Sequence, residues 1–167
     1  VKSSPTVADD TVYIGSEDFN VYALSTEDGN QQWSFETGSL VTSSPAVAGG
    51  TVYVGCWDNK VYAISATDGT EQWSYETGNS VVSAPAVVDD TVYVGSTDGR
   101  VYALSTEDGT ERWSFSTASG VEAVVESSPA VVDDTVYVGS YDGNVYALSA
   151  TDGTKQWSYQ VGGIVRS

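Results

Sequence analysis

The sequence predicts an all-β protein built from four copies of one unit, because two residue types recur at matching intervals. Tryptophan and proline each return along the whole chain at spacings of 40, 40 and 44 residues. Within every copy, Val and Tyr alternate with other residues at the period of a β-strand, and no segment has a helical period. We therefore expect one domain, 1–167, with repeats at approximately 1–40, 41–80, 81–124 and 125–167. The recurring residues are Trp33, Trp73, Trp113 and Trp157, and Pro5, Pro45, Pro85 and Pro129.

Each copy is predicted to fold as four short strands, and the third copy shows them in order. The turns between the strands are rich in Asp and Gly, which supply the positive φ that tight hairpins need. Val, Tyr and Trp fill the strands, as expected for a pleated, buried surface. The unit is therefore a four-stranded antiparallel sheet. The predicted strands are 84–88, 91–95, 101–104 and 111–115, and the turns contain Asp89-Asp90, Asp98-Gly99 and Asp108-Gly109.

Four-stranded antiparallel units at a period of about 40 residues are typical of β-propeller blades. A single blade cannot bury both of its apolar faces, whereas stacked blades bury them against one another, with Trp and Tyr between the sheets. A β-sandwich and an open solenoid are the alternatives, but a sandwich rarely repeats its own sequence this closely. The sequence therefore favours propeller geometry.

The charge balance and the rare residue types exclude several classes of function. Asp and Glu number 23 against 6 Lys and Arg, which gives a net charge of −17. We expect no nucleic-acid partner, since such binding needs basic residues that displace counterions, and no apolar run is long enough for membrane insertion. The chain has no His and one cysteine, Cys56, which excludes a His-based triad, an imidazole metal site and an internal disulfide. Paired carboxylates could bind calcium or do acid–base work, but the Asp-Gly pairs are explained as turns, so we name no catalytic residue and no metal ligand.

The excess of acidic residues also predicts adaptation to very high salt. At about 1 M salt the Debye length falls to about 3 Å, so repulsion among surface carboxylates is largely screened. At low salt the same charge would destabilise the compact state. We expect the source to be a salt-loving microbe, an archaeon.

The four segments that lead into the recurring tryptophans resemble the tryptophan-docking motif of pyrroloquinoline-quinone-like (PQQ-like) β-propeller repeats. The resemblance implies the propeller fold, with the four tryptophans as structural docking residues. Two positions depart from the family's pattern: its Asp, third in the motif, is Ser here, and its Thr before Gly is Asp here. The segments run from Ala23 to Trp33, Ala63 to Trp73, Ala103 to Trp113 and Ala147 to Trp157.

For function, the resemblance implies several alternatives. Quinoprotein dehydrogenases of this fold bind PQQ and a calcium ion, commonly beneath a disulfide between adjacent cysteines, whereas Cys56 stands alone. The sequence therefore does not support a PQQ or calcium cofactor, and none is expected. Related propellers without the quinone act as outer-membrane assembly scaffolds, as sensor domains of kinases and as surface proteins. We accordingly expect an extracellular or cell-surface location.

The resemblance also implies rings of seven or eight blades. Residues 1–3 and 165–167 have the same phase of the repeat, 164 residues apart, so the chain contains four full blades. Four blades of a larger ring leave two apolar flanks uncovered. We favour half of an eight-bladed ring, completed by self-association or by the remaining blades of a longer chain, with a closed four-bladed ring as the second choice.

Positions that differ among the four copies are candidates for recognition, because the invariant positions are explained by packing. They concentrate on one face of the predicted disc, the link face, which carries the turns 17–20, 57–60, 97–100 and 141–144 and the inserted loop 118–126. Exposed aromatic rings beside charged groups suit a recognition surface; packing over neighbouring residues is the alternative. The candidate contacts are Phe19, Trp57, Lys60, Arg100, Glu122 and Tyr141.

The leading hypothesis is a non-enzymatic binding, scaffold or sensor domain that recognises a protein or a small ligand through the link face. The first alternative is an enzyme, part of a PQQ- and calcium-dependent quinoprotein dehydrogenase. The second alternative is a purely structural repeat segment. The sequence identifies no natural ligand.

Overall fold

The computed structural model describes residues 2–117 and 124–166 and confirms the all-β prediction. The described residues form sixteen strands and no helix, so none of them builds a helix that could cross a membrane. In chain order, the strands form four antiparallel sheets of four, which are the predicted blades. The strands are β1 (Thr6–Ala8), β2 (Thr11–Gly15), β3 (Asn20–Ser25), β4 (Gln31–Glu36), β5 (Ala46–Ala48), β6 (Thr51–Gly55), β7 (Lys60–Ser65), β8 (Glu71–Glu76), β9 (Ala86–Val88), β10 (Thr91–Gly95), β11 (Arg100–Ser105), β12 (Glu111–Ser116), β13 (Ala130–Val132), β14 (Thr135–Gly139), β15 (Asn144–Ser149) and β16 (Lys155–Gln160).

The four blades share one internal register because the same residue pattern recurs in each. In the first blade, the short β1 pairs with β2, β2 pairs with β3 over its full length, and β3 pairs with β4 across one irregularity. This β-bulge lies between Ala23 and Leu24, and every other blade has it at the equivalent step. A bulge increases the local twist of a sheet, so each blade presents its tryptophan on an outer strand with the same twist.

The blades pack face to face, with their first strands innermost. Strand β1 contacts β5, β5 contacts β9, and β9 contacts β13, which leaves the fourth strands on the outside. Three clusters of buried residues fill the spaces between consecutive blades. Val52, Val54 and Ile64 of the second blade have no exposed surface. Complete burial of such a side chain stabilises a fold by about 1.5–3 kcal/mol, so these interfaces hold the blades together.

The four blades form an open arc, so the closed four-bladed ring is wrong. Trp33, Trp73 and Trp113 have only 7–8% of their surface exposed, whereas Trp157 of the fourth blade is 46% exposed. On the first blade, Val12, Ile14 and Leu24 are only half-buried, so the outer flanks of the first and fourth blades do not cover each other.

Backbone hydrogen bonds divide the loops between two faces. Thr26 N donates to Asp10 O, so the turns at 9–10 and 26–30 lie together. The face that carries these turns and their counterparts in the other blades is here called the turn face. Val41 N donates to Ser16 O, and the N–H of Trp57 donates to Leu40 O, which joins the links between blades to the turns of the link face. The turns predicted for the link face therefore lie on the same side as the links.

Candidate binding face

A carboxylate shapes every turn of the link face. Asp58 accepts the N–H of Lys60 through Oδ1 at 3.1 Å and the hydroxyl of Tyr62 through Oδ2 at 2.6 Å. Its Oδ2 also accepts the N–H of Gly38, in the preceding link, at 2.8 Å. Because these bonds satisfy the carboxylate, it stabilises the turn and is not a free acid for catalysis. The equivalent acids are Asp18, Asp98 and Asp142.

The tyrosines bonded to these acids hold their protons tightly. Burial, and then the hydrogen bond to the neighbouring carboxylate, raise the pKa of Tyr62, Tyr102 and Tyr146 well above the usual value. In the first blade, the hydrogen bond between Tyr22 and Asp18 raises the pKa of the tyrosine and lowers the pKa of the acid. The four tyrosines therefore remain neutral near pH 7 and support the turns.

Trp57 is an exposed indole that is held in one orientation. Its side chain is 47% exposed, and Nε1 donates to Thr42 Oγ1 at 2.8 Å. The backbone N–H of Trp57 is also bonded, to Leu40 O at 3.0 Å. An aromatic ring fixed in this way loses little conformational entropy when a partner covers it. Trp57 is thus suited to serve as an anchor for binding.

Phe19 is exposed on a backbone that disfavours it. Its φ is 73°, and 43% of its surface is exposed. The equivalent residues are Asn59, Gly99 and Gly143, which also have positive φ and are the types that adopt it most easily. A left-handed conformation costs a residue with a large side chain about 1–2 kcal/mol. Local stability therefore does not account for phenylalanine at this position.

Lys60 and Arg100 begin the third strands of their blades and interact with them. Lys60 Nζ lies 5.9 Å from the ring centroid of Tyr62, and Arg100 Nη1 donates to Ser114 Oγ at 3.2 Å. Lys60 is half-buried and Arg100 is exposed. Both contribute positive charge to an otherwise acidic molecule.

Tyr141 belongs to a small polar cluster. Its hydroxyl donates to Glu126 Oε2, and the guanidinium of Arg166 lies 5.2 Å from the centroid of its ring. Burial and the bond to Glu126 raise the pKa of Tyr141. Glu122, the remaining predicted contact, lies outside the described residues.

Thr42 was not predicted as a site residue, and Glu126 was included only as the last residue of the inserted loop 118–126, although the sequence contains a signal for both. Both occupy the repeat position directly before a buried serine, at which the four copies have Lys2, Thr42, Val82 and Glu126. This position varies together with the position that holds Trp57 in one copy and Tyr141 in another. Covariation between two positions of a repeat indicates that the two side chains meet.

The predicted contacts lie along the arc rather than around one cavity. Phe19 is on the first blade, Trp57 and Lys60 on the second, Arg100 on the third and Tyr141 on the fourth. Among the residues that the structure describes, no three His, Cys, Asp or Glu side chains form a group that could hold a metal ion. The arrangement offers separate apolar rings and charges, which suits the binding of an extended surface.

Cys56 has a packing role at the base of the link face. It is fully buried, and its Sγ lies 3.5 Å from the carbonyl oxygens of Ser39 and Leu40. In the third blade, the hydroxyl of Ser96 bonds the equivalent carbonyl oxygens. Burial raises the pKa of the Cys56 thiol, so it is a poor nucleophile.

Comparison by sequence identifies the family. Residues 1–79 and 38–164 match the PQQ_2 family, described as outer membrane protein assembly factor BamB. The two matches together cover nearly the whole chain, which therefore belongs to this family. No curated protein matches the chain by sequence.

Solved structures show the same fold at low identity. BamB from Moraxella catarrhalis has a TM-score of 0.84 at 21% identity, over 96% of this chain and 49% of its own. The computationally designed Ika8 protein has a TM-score of 0.85 at 20% identity, over 96% and 50%. The quinohemoprotein alcohol dehydrogenase ADHIIG from Pseudomonas putida HK5 has a TM-score of 0.83 at 23% identity, over 95% and 34%. The chain thus spans half or less of the length of these structures.

Proposed function

We propose that this chain is a non-enzymatic scaffold that binds a protein partner through the link face. The observation that carries the proposal is Trp57, whose indole is 47% exposed yet held by Thr42. Exposed, ordered tryptophan is typical of the centre of a protein interface. The family description, which names an assembly factor, is consistent with a scaffold.

The partner offers apolar side chains that cover separate rings. Phe19 and Trp57 lie on neighbouring blades, and each exposes more than two fifths of its surface. Lys60 and Arg100 lie in the same row of turns and supply hydrogen-bond donors at the rim. A partner with an extended apolar surface and acidic groups at its edge would satisfy this arrangement.

A PQQ and calcium site does not fit the residues present. The resemblance implies a disulfide between adjacent cysteines, but Cys56 is the single cysteine and is buried against backbone carbonyls. Calcium prefers six to eight oxygen ligands, whereas Asp58 already accepts bonds from Tyr62 and Gly38. We therefore derive no quinone chemistry for this chain.

We further infer that the protein works at high salt and outside the cytoplasm, in a halophilic archaeon. The net charge of −17 supports the first part, and the family description, which names the outer membrane, supports the second. Screening of the carboxylates by salt should stabilise the fold. We expect a higher melting temperature in 3 M than in 0.1 M KCl, and equal temperatures would contradict the salt adaptation.

The scaffold role is tested by photo-cross-linking in cells of the source organism. A photoreactive residue at Thr97, the counterpart of Trp57 in the third blade, should cross-link one partner that mass spectrometry identifies. The product should disappear when Trp57 is changed to Ala. A photoreactive residue at the exposed Glu107 of the turn face is the matched control and should give no product. Equal products from both faces, or none, would favour the purely structural alternative.

A further inference from the structure

The three interfaces between consecutive blades use the same tryptophan contact. Trp33 Nε1 donates to Ala66 O at 3.0 Å, Trp73 to Thr106 O at 3.0 Å, and Trp113 to Ala150 O at 2.8 Å. Each indole lies on a glycine of the next blade. A Cβ on Gly69, Gly109 or Gly153 would approach that ring to 2.5–2.8 Å, so the contact is closely packed.

Two more contacts accompany the tryptophan. An aromatic residue two positions later packs on a tyrosine of the next blade, with ring centroids 5.4–5.7 Å apart: Phe35 with Tyr62, Tyr75 with Tyr102, and Phe115 with Tyr146. At the first two interfaces, a glycine N–H also donates to a turn carboxylate at 2.8 Å, from Gly38 to Asp58 and from Gly78 to Asp98. The first two interfaces thus share a set of three contacts, and the third shares the tryptophan contact and the aromatic pair.

The outer flank of the fourth blade carries one side of this contact set, here called the donor half: the tryptophan, the second aromatic ring and the glycine N–H. No blade of the same chain supplies the other side, the acceptor half. Trp157 is 46% exposed and Tyr159 is 68% exposed, and within the described residues the indole N–H of Trp157 has no acceptor. A Cβ on Gly162, the counterpart of Gly38, would meet nothing within 4 Å. Gly162 also lines an open groove, together with residues 141–143, 160–161 and 163–164.

The outer flank of the first blade carries the acceptor half, which consists of the carbonyl oxygen, the glycine, the tyrosine ring and the turn carboxylate. Thr26 and Gly29, the counterparts of Ala66 and Gly69, are exposed, and a Cβ on Gly29 would meet nothing within 4 Å. Asp18 Oδ2 accepts Tyr22 but no glycine N–H from a preceding link within the described chain. Val12, Ile14 and Leu24 are half-buried here, although their counterparts in the second blade are fully buried.

We propose that a second copy of this chain covers both flanks in a head-to-tail arrangement. Trp157 of one copy would pack on Gly29 and donate to Thr26 O of the other, Tyr159 would pack on Tyr22, and Gly162 N would donate to Asp18. Since each copy carries one donor flank and one acceptor flank, two copies related by a twofold rotation satisfy all four flanks and close the ring.

The occupant is a second copy because this chain contains both halves of the contact set. The four blades superpose on 49–50% of the BamB and Ika8 chains, so two copies supply the length of one such protein. This surface is separate from the link face, and the inference does not depend on the proposed scaffold role.

Mass measurement by light scattering in 3 M KCl tests the inference. The native chain should have about twice the mass of one copy, 17.6 kDa. Trp157→Ala should give single copies at the same concentration, and so should Tyr159→Asp, which places a carboxylate opposite Asp18 at a position already 68% exposed. The matched control is Trp57→Ala, which removes an indole of similar exposure from the link face and should leave the doubled mass unchanged.

Two results would overturn the inference. A native chain of 17.6 kDa would mean that the flanks await another occupant, such as further blades of a longer chain. A doubled mass that survives both flank substitutions would mean that the copies associate through another surface. Loss of partner cross-linking in Trp57→Ala with the doubled mass retained would separate the scaffold role from the ring closure.

Discussion

The third and fourth blades carry nearly the same sequence around their tryptophans, yet they bury them to different extents. Trp113 in Glu-Arg-Trp-Ser-Phe is 7% exposed, and Trp157 in Lys-Gln-Trp-Ser-Tyr is 46% exposed. Both rings pack against a tyrosine of their own blade at 5.9 Å. The difference lies entirely in the neighbour, because Trp113 has Ala150 and Gly153 of the next blade to cover it. Each flank of a blade therefore carries one side of an interface, and the adjacent blade has to supply the other side.

The largest expected difference is between tryptophans inside and outside the arc. In a Tyr159→Asp background that keeps the chain single, Trp73→Ala should lower the free energy of unfolding by about 3–5 kcal/mol, as expected for a buried tryptophan. Trp157→Ala should lower it by about 1 kcal/mol or less, because its ring is already half in water. Denaturant unfolding in 3 M KCl measures both, and equal losses would show that the flank tryptophan is covered within one copy.

A smaller difference is expected between two glycines of the same conformation. Gly109 and Gly29 have φ of 73° and 71°, so alanine strains the backbone equally at both. At Gly109 the new Cβ would also approach Trp73 to 2.5 Å, whereas at Gly29 it would meet nothing within 4 Å. Gly109→Ala should therefore cost about 1–3 kcal/mol more than Gly29→Ala in the single chain.

The native chain provides the control for this pair of glycines. With two copies closed into a ring, Gly29→Ala should also weaken the association, because the Cβ would meet Trp157 of the second copy. An association that Gly29→Ala leaves unchanged would contradict the proposed contact.

The smallest effect concerns alkaline pH and the tyrosines of the interior interfaces. Burial and the bond to Asp98 raise the pKa of Tyr102 above the value of about 10 that it has in the unfolded chain. Its stabilising contribution is therefore complete below about pH 10 and is lost as the pH rises toward the folded pKa, by up to about 1.4 kcal/mol per pH unit. Tyr102→Phe should flatten this part of the stability profile, measured by urea unfolding between pH 8 and 12.

The matched control is Tyr22, whose side chain is only half-buried at the open flank. Tyr22→Phe should change the alkaline profile less than Tyr102→Phe does. A profile that both substitutions change equally would mean that burial between blades does not determine the tyrosine pKa.

The fold could be predicted from the sequence because the residue pattern of the strands and turns occurs four times. Each copy indicates the same structure: Asp-Gly pairs predict tight turns, alternating residues predict strands, and a tryptophan such as Trp33 or Trp73 predicts packing between sheets. The sequence left an open half-ring and a closed four-bladed ring as alternatives, because ring closure depends on tertiary packing, such as that of Trp33 on Gly69.

The candidate site could be predicted only in part. The variable positions Trp57 and Tyr141 stood out because they break the repeat, but their bonds to Thr42 and Glu126 join residues fifteen positions apart through the link between blades. Such contacts depend on the tertiary arrangement. The conformation of Phe19 follows from comparison with its counterparts Asn59, Gly99 and Gly143, since these residue types indicate positive φ.

Site-specific cross-linking tests most directly whether the fourth blade of one copy meets the first blade of another. Cys56→Ser removes the natural thiol and introduces the residue that the other three copies have. In that background, chains with Tyr159→Cys are mixed with chains with Tyr22→Cys and treated with a thiol cross-linker of about 10 Å, the distance between packed sheets. We expect a product that contains one chain of each kind. Products that join two Tyr159→Cys chains, or no product at all, would contradict the head-to-tail ring.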